Sequence, residues 1–257
     1  MNTMDRKIAA RRHGVSEQRA TARLKLVFGF VVPAVLAAAA FWLVRSPLLD
    51  VDRVTITGAE HSNPDAALDQ LGVVQGTPTI SVDAGALEAA LVTDPWIADV
   101  RVVVTWPGTV DIEVIEHIPV AVVETLDGLA SVTLEGDVVQ LVGEAAGYST
   151  IVVADAGPAR PGSTMRATAV LGSLEFVAGL PADLHAATVI TIDGNGQISA
   201  VVRDYPVRLG RAIDMASKAA SLVALIEYGL EPGSSIDVTA ARRPAVTNPR
   251  GEVEGEG

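Results

Sequence analysis

The apolar positions of this chain fall into one long block followed by many short periodic ones. The block is Leu26 to Val44, LVFGFVVPAVLAAAAFWLV, nineteen residues without a charge. At about 1.5 Å of rise per residue it spans roughly 28 Å as a helix, close to the roughly 30 Å hydrocarbon core of a bilayer, so the pattern predicts one transmembrane helix over 26–44. Eleven of the nineteen residues are Leu, Val or Phe. Each favours insertion by roughly 0.3 to 0.6 kcal/mol, which together outweighs the local disturbance from Pro33. A cleaved signal peptide is the alternative, because Ala37 to Ala40 offers small residues to a peptidase. Against it, the apolar run continues through Phe41, Trp42, Leu43 and Val44, and the basic segment before it is long for a signal sequence.

After the block the period shortens. Val51, Val54 and Ile56, with polar Thr55 and Thr57 between and Gly58 as a stop, predict a strand. Asn63, Pro64 and Asp65 are a helix start, with Asn as cap, Pro at the first helical position and an acid near the positive end of the dipole. Ala67, Leu68 and Leu71 form the apolar stripe of that helix, and Gly72 ends it. A loop through Gly76, Thr77 and Pro78 leads to Asp83, which can cap a second helix with Leu87, Ala90 and Leu91 on one face before Pro95 closes it. Val100, Val102 and Val104, then the turn Trp106, Pro107, Gly108, then Val110, Ile112 and Val114 predict a hairpin with one buried face. The order is strand, helix, helix, strand, strand.

A second, strand-rich unit is expected from about Val120 to Val246. Ala130–Leu134 and Val138–Val142 flank the turn residues Glu135, Gly136 and Asp137. Ile151–Ala154 is a short strand, and Val170, Leu171, Leu174 and Val177 give 167–178 helical spacing. Val189–Ile192 and Ile198–Val202 form a hairpin around Gly194 to Gly196. Val207, Leu209 and Gly210 precede a helix, Ile213–Tyr228, with Met215, Ala219, Leu222, Val223 and Ile226 on one face. Ile236, Asp237 and Val238 are the last expected strand, and residues 247–257 are an expected disordered acidic tail. The fold class is α+β behind a single N-terminal transmembrane helix.

Charge adds a direction to this pattern. The 257 residues carry a net −12, but the sign is divided. Residues 1–25 hold Arg6, Lys7, Arg11, Arg12, Arg19, Arg23 and Lys25 against Asp5 and Glu17, whereas beyond Ser46 eleven Arg or Lys face twenty-nine Asp or Glu. Positive-inside keeps the basic tail in the cytoplasm and places 46–257 outside. An acidic exported part has no electrostatic reason to seek nucleic acid. The chain has no cysteine, so the exported part has neither disulfides nor thiolate chemistry.

Catalytic parts are wanting. His13, His61, His117 and His185 stand at no metal-ligand spacing, and no nucleophile-elbow, P-loop or dinucleotide motif occurs. Ser217 and Lys218 are adjacent in a helical pattern and diverge around its axis, so both are expected in solvent. Asp111 and Glu113 share a strand face, expected to be solvated. Asp193, Asn195 and Asp204 match three positions of a calcium loop, but Ile198 stands where that loop needs Gly, and a hairpin turn is the better reading. Trp96 and Trp106, beside prolines at element ends, are expected to seal the small core. No cofactor and no metal is expected.

The segments VDRVTITG, LVTDPWIADVRV and WPGTVDIEVIEHIPVAVV resemble the POTRA domain of the bacterial cell-division family FtsQ/DivIB. Gly58, Pro95, Trp96, Trp106, Pro107, Glu116 and Pro119 stand at the family's positions, and His117 stands where the family usually has Arg. VRLGRAIDMASKAASLVALIE and SIDVTAARRPAV resemble the C-terminal part of the same family. The resemblance implies a cytoplasmic tail over 1–25, the anchor over 26–44, a βααββ POTRA domain over 48–118 and an FtsQ-type β domain with flanking helices over 119–246. It also implies a non-enzymatic divisome scaffold in the plasma membrane at the septum. The implied partners are single-pass coiled-coil proteins of the FtsB/DivIC and FtsL kinds and other septal wall-synthesis proteins, the complex controlling septal peptidoglycan synthesis. The alternative is a membrane-anchored POTRA-type chaperone or secretion component, which is usually followed by a β-barrel, and no amphipathic strand array follows here. An anchored wall hydrolase or protease lacks its catalytic residues.

Partner docking is expected at the end of the sheet. No later segment reads as able to pair with the strand from Ile236, so its outer backbone groups are expected to be free, and Arg242, Arg243 and Pro244 blunt that edge only toward its end. An extended partner segment can add there. The expected docking residues are Val238, Thr239, Ala240, Ala241, Arg242, Arg243, Pro244, Ala245 and Val246. The resemblance places the interaction on the same segment and makes Arg242 and Arg243 partners for acids, while Ala240 stands where some relatives have an aromatic.

Overall fold

The computed structural model describes residues 29–39, 41–42 and 49–248. The elements from residue 53 follow the predicted order: β1 (Arg53–Thr57), α1 (Pro64–Leu71), a single 3-10 turn (Thr79–Ser81), α2 (Ala84–Leu91), β2 (Ile97–Thr105) and β3 (Thr109–Glu116). The sheet order is β1-β3-β2. Gly58 ends β1 at φ +82, and a Cβ there would lie 2.0 Å from the Val114 carbonyl oxygen, so only glycine fits. Asp83 caps α2 as its position predicts, accepting the Ala86 amide at 3.0 Å. The Asp94 carboxylate accepts the amides of Asn63 and Trp96, both at 3.0 Å, and so joins the start of α1 to the entry of β2.

By packing the chain divides into two units. One comprises the described residues up to Ile56 with Leu68–Leu87 and Val102–Ile112. Its buried residues include Val51, Leu68, Val73, Leu87, Val110 and Ile112. The β2–β3 turn is fixed inside this unit, because the amides of Asp52 and Arg53 donate to the Gly108 carbonyl at 2.8 and 3.1 Å and the Thr79 hydroxyl donates to the Pro107 carbonyl at 2.8 Å. Trp106 does not seal this core: it is 54% exposed, whereas Gly108, two residues on, is buried with its Cα close to the Asp50 backbone. Backbone packing of the turn, and not an aromatic ring, closes that end.

The other unit comprises Thr57–Ala67, Glu88–Arg101 and the described residues from Glu113. Most of it is a nine-stranded sheet in the order β12-β11-β10-β9-β8-β7-β4-β5-β6. In chain order its strands are β4 (Pro119–Thr125), β5 (Gly128–Thr133), β6 (Val138–Val142), β7 (Ser149–Val153), β8 (Thr188–Ile192), β9 (Ile198–Val202), β10 (Tyr205–Gly210), β11 (Ser235–Asp237) and β12 (Ala245–Thr247). The helices are α3 (Thr168–Ala178), the single turn α4 (Ala182–His185) and α5 (Met215–Tyr228). β4, β7 and β8 run parallel, as do β10 and β11, and the hairpins β4–β5, β5–β6 and β8–β9 are antiparallel. Alternation along β8 and β9 buries Ile190, Ile192, Ile198, Ala200 and Val202 in one core with Leu174, Phe176, Met215 and Leu222 of α3 and α5, and leaves Val189 and Val201 exposed on the other face.

The expected crossing Leu26–Val44 lies partly outside the described residues. Positions 29–39 and 41–42 are helical, with Phe30, Val35, Leu36 and Trp42 among the exposed side chains. Among the described residues no helix is long and apolar enough to cross a membrane. The basic tail 1–25 and, of the expected acidic tail, 249–257 lie outside the described residues as well. Thr247, taken from sequence as the start of that tail, instead closes β12.

Candidate functional site

Two clusters of polar groups stand out from the fold. The first gathers on Glu116, the last residue of β3. Its carboxylate accepts the amides of Glu60 and His61 at 2.9 Å and of Ser62 at 2.7 Å, and the Ser62 hydroxyl at 2.6 Å. The Nδ1 of His61 lies 3.0 Å from the second oxygen. Burial alone would raise the Glu116 pKa, but the bonds from Ser62 and His61 outweigh it and hold the group at about 2. A carboxylate so saturated with donors is a structural anchor and has no proton to offer as an acid. His61 is therefore not isolated as its sequence position suggested; its ring also stacks on Trp96, with centroids 4.4 Å apart and planes 13° from parallel. Trp96 is half-buried against this imidazole instead of sitting in the apolar core.

The second cluster is the end of the large sheet, where the expected docking residues lie. One part of the expectation is overturned. β11 is not an open edge: it pairs in parallel with β10 on one side and antiparallel with β12 on the other, with Ser235 opposite Thr247, Ile236 opposite Val246 and Asp237 opposite Ala245. Three residues after a turn suffice to cover it, a segment too short to show a period. The edge moves one strand outward, and among the described residues no strand pairs with the far side of β12.

The nine expected residues are thereby sorted. Val238 is fully buried, its amide donating to the Arg208 carbonyl at 3.0 Å. Thr239, Ala240, Ala241, Arg242, Arg243 and Pro244 form the turn between β11 and β12, closed by the Arg243 amide on the Ala240 carbonyl at 2.9 Å. Ala245 and Val246 belong to β12 itself. Arg242, Arg243 and Pro244 are exposed and belong to the turn that precedes β12, not to the edge strand itself. The hydroxyl and amide of Thr239 lower the Asp237 pKa, helped by Arg208 and opposed by burial.

Beside the turn, Gln197, Arg211, Ile213, Asp214, Lys218, Thr239, Ala240 and Ala241 line a groove of about 430 Å³. Lys218 was expected in solvent and is only 3% exposed. Its ammonium donates to the carbonyls of Leu209 and Arg211, both at 2.8 Å, which explains how a buried cation is tolerated at the end of β10. Burial lowers its pKa and Asp214 works against that shift. Ser217, its neighbour, is exposed as expected. The stretch at Asp193 is a hairpin turn whose carboxylate accepts the amides of Asn195 and Gln197 at 2.9 and 2.8 Å. Among the described residues no group of three or more His, Asp or Glu is placed to hold a metal ion.

Comparison with known proteins shows which family the chain resembles. The family model for the FtsQ-type POTRA domain matches residues 49–117. The cell division protein FtsQ of Corynebacterium glutamicum is 34% identical over 115 residues, which cover 44% of this chain and 50% of that relative. The chain thus aligns with only about half of the corynebacterial protein's length. The FtsQ of Streptomyces griseus is 31% identical over 206 residues, covering 79% of this chain and 99% of the relative. That of Streptomyces bingchenggensis is 28% identical over 231 residues, 88% of this chain and 86% of the relative. With the βααββ elements inside the matched span and a relative matched along nearly its whole length, the chain belongs to the FtsQ family of cell-division proteins.

Proposed function

We propose that this chain is a non-enzymatic scaffold of the division machinery, anchored in the plasma membrane by Leu26–Val44 with residues 1–25 in the cytoplasm and the rest outside, and enriched at the septum. In this reading it recruits single-pass coiled-coil division proteins of the FtsB/DivIC and FtsL kinds, and through them helps control septal peptidoglycan synthesis. The observation that carries the reading is β12: a three-residue strand at the end of a nine-stranded sheet, in a chain of the FtsQ family, with no strand paired on its far side among the described residues. An edge of this kind offers unpaired amides and carbonyls to an extended segment of a partner, whose main-chain bonds supply affinity and whose alternate side chains supply selectivity. Exposed Arg242 and Arg243 beside the edge then meet acids of the partner.

The test is affinity for the exported part of the FtsB/DivIC-like partner. Deletion of everything after Ala240 is expected to abolish binding. Proline at Ala245 or Val246, whichever amide faces away from β11, is expected to do the same at an unchanged melting temperature, because it removes an outward donor and spares the ladder. Arg242→Glu with Arg243→Glu is expected to weaken binding most at low salt, since exposed charges act over a Debye length of about 10 Å at 0.1 M. Intact affinity after the deletion overturns docking at this edge.

A further inference from the structure

β12 is held in place by little of its own. Only three residue pairs join it to β11, and the turn before it carries two exposed arginines and a proline. The first half of that turn is fixed by the Val238 amide on Arg208 and the Thr239 amide on the Asp237 carboxylate, at 3.0 and 2.9 Å. Its midpoint is fixed from a different element. The Ser221 hydroxyl of α5 donates to the Ala241 carbonyl at 2.7 Å.

That hydroxyl has one proton and two acceptors within reach, the second being the Ser217 carbonyl at 2.9 Å. In an α-helix the carbonyl of residue 217 already receives the amide of residue 221. The bond to Ser217 duplicates a pairing, whereas the bond to Ala241 joins a turn that has no ladder. Lys218 stands three residues before Ser221, on the same face of the helix, and holds the exit of β10 through the carbonyls of Leu209 and Arg211. Between those two carbonyls Gly210 adopts φ +73, and a Cβ there would lie 2.8 Å from the Thr239 methyl. One face of α5 therefore grips both the strand that supports the edge and the turn that delivers it.

We infer that Ser221 is a positioning residue for partner docking: by clamping the Ala241 carbonyl to α5 it holds β12 in register on β11, so that the edge is formed before a partner strand arrives. The inference rests on the docking reading above and adds the device that keeps the edge preformed. A preformed edge spares the partner the ordering cost of a segment that would otherwise settle only on binding.

The experiment uses the full chain in lipid nanodiscs, with Ser221→Ala and Ser221→Thr beside wild type and the same partner ectodomain as probe. Alanine is the better helix former, so Ser221→Ala leaves α5 intact. Losing one hydrogen bond is expected to speed amide exchange across 241–247 by about 5-fold and to weaken partner affinity by a similar factor. Amides of β8 and β9 and the melting temperature should stay at wild-type values, and Ser221→Thr should restore both exchange and affinity. Unchanged exchange in 241–247, or faster exchange with unchanged affinity, overturns the positioning role. Deletion after Ala240 separates the two ideas. If the deletion abolishes binding while Ser221→Ala binds like wild type, positioning alone is wrong; if the deletion binds normally, docking at this edge and positioning for it both fall.

Discussion

Glu116 closes a loop of 54 to 56 residues by collecting the amides of Glu60, His61 and Ser62 on one carboxylate. Family resemblance singles this residue out in the sequence, but its partners are illegible there, since nothing local links a strand end to a loop so far upstream. Non-local contact likewise hides the stacking of His61 on Trp96 and the burial of Lys218, whose carbonyl partners Leu209 and Arg211 lie nine and seven residues upstream at the end of β10. The pKa of Glu116 gives the anchor a pH signature. It is lowered from 4.5 to about 2, so folding favours the ionised form. Its contribution is complete above about pH 4.5 and is lost as pH falls from there toward 2. Glu116→Gln retains the shape but turns an amide NH₂ toward N–H donors. We expect it to cost about 1 to 3 kcal/mol at neutral pH, judged by bonds to a charged acceptor. Urea melts at pH 7, 4 and 3 check this: the variant should lose less stability on acidification than wild type, and an identical acid limb would show that Glu116 is not the titrating group.

Helices α3 and α5 meet through small residues, and their contact decides whether the large sheet has a covered face. A Cβ on Gly172 would lie 2.5 Å from the Ala212 Cβ and 3.3 Å from the Met215 Cγ. Helix propensity favours alanine over glycine there by about 1 kcal/mol, but overpacking a tight core costs about 1 to 3 kcal/mol. With the neighbouring atom under 3 Å and close to backbone, packing should win, so Gly172→Ala should be destabilising by about 1 kcal/mol in thermal melts, while Gly143→Ala, with nothing within 4 Å, should be neutral. A stabilised Gly172→Ala would mean that α3 moves freely away from α5. How much of the fold the sequence displays depends on how each element is buried. β8 and β9 alternate buried and exposed residues and were legible at once. β4 buries Ala121, Val122 and Val123 in succession between its parallel and antiparallel neighbours, so its sequence shows no period of two. In the sequence β10 reads only as the approach to a helix, because Gly210 and the turn after it obscure the strand pattern. β12 is three residues long and exists through its pairing with β11, which no periodicity announces. The expected docking segment follows from its position at the end of the chain's pattern, and the pairing of β11 with β12 moves the open edge one strand outward.

Charge along the whole chain predicts its orientation, independently of any packing. Five of the seven basic residues before the apolar block, Arg11, Arg12, Arg19, Arg23 and Lys25, lie within about 15 residues of its start, the range over which Lys and Arg set topology. Arg45 is the lone basic residue directly behind it, and the long segment that follows is acidic. Long acidic segments translocate with little regard to their own charge, so the basic cluster decides the outcome. Moving it across a negative-inside membrane opposes a potential of about 2.3 kcal/mol per charge at 100 mV. The expected arrangement is an N-terminus that stays inside and a docking edge that faces out. An enzyme reporter active only outside the cytoplasm, fused after Val246, should be active, and protease added to spheroplasts should digest the exported part while the apolar segment stays with the membrane. Replacing those five basic residues by Gln should raise the fraction of inverted chains, because Arg45 then carries the largest positive bias near the block. A reporter that is silent in the parent chain would reverse the orientation, and release of a soluble exported part during growth would mean cleavage near Ala40 in place of an anchor.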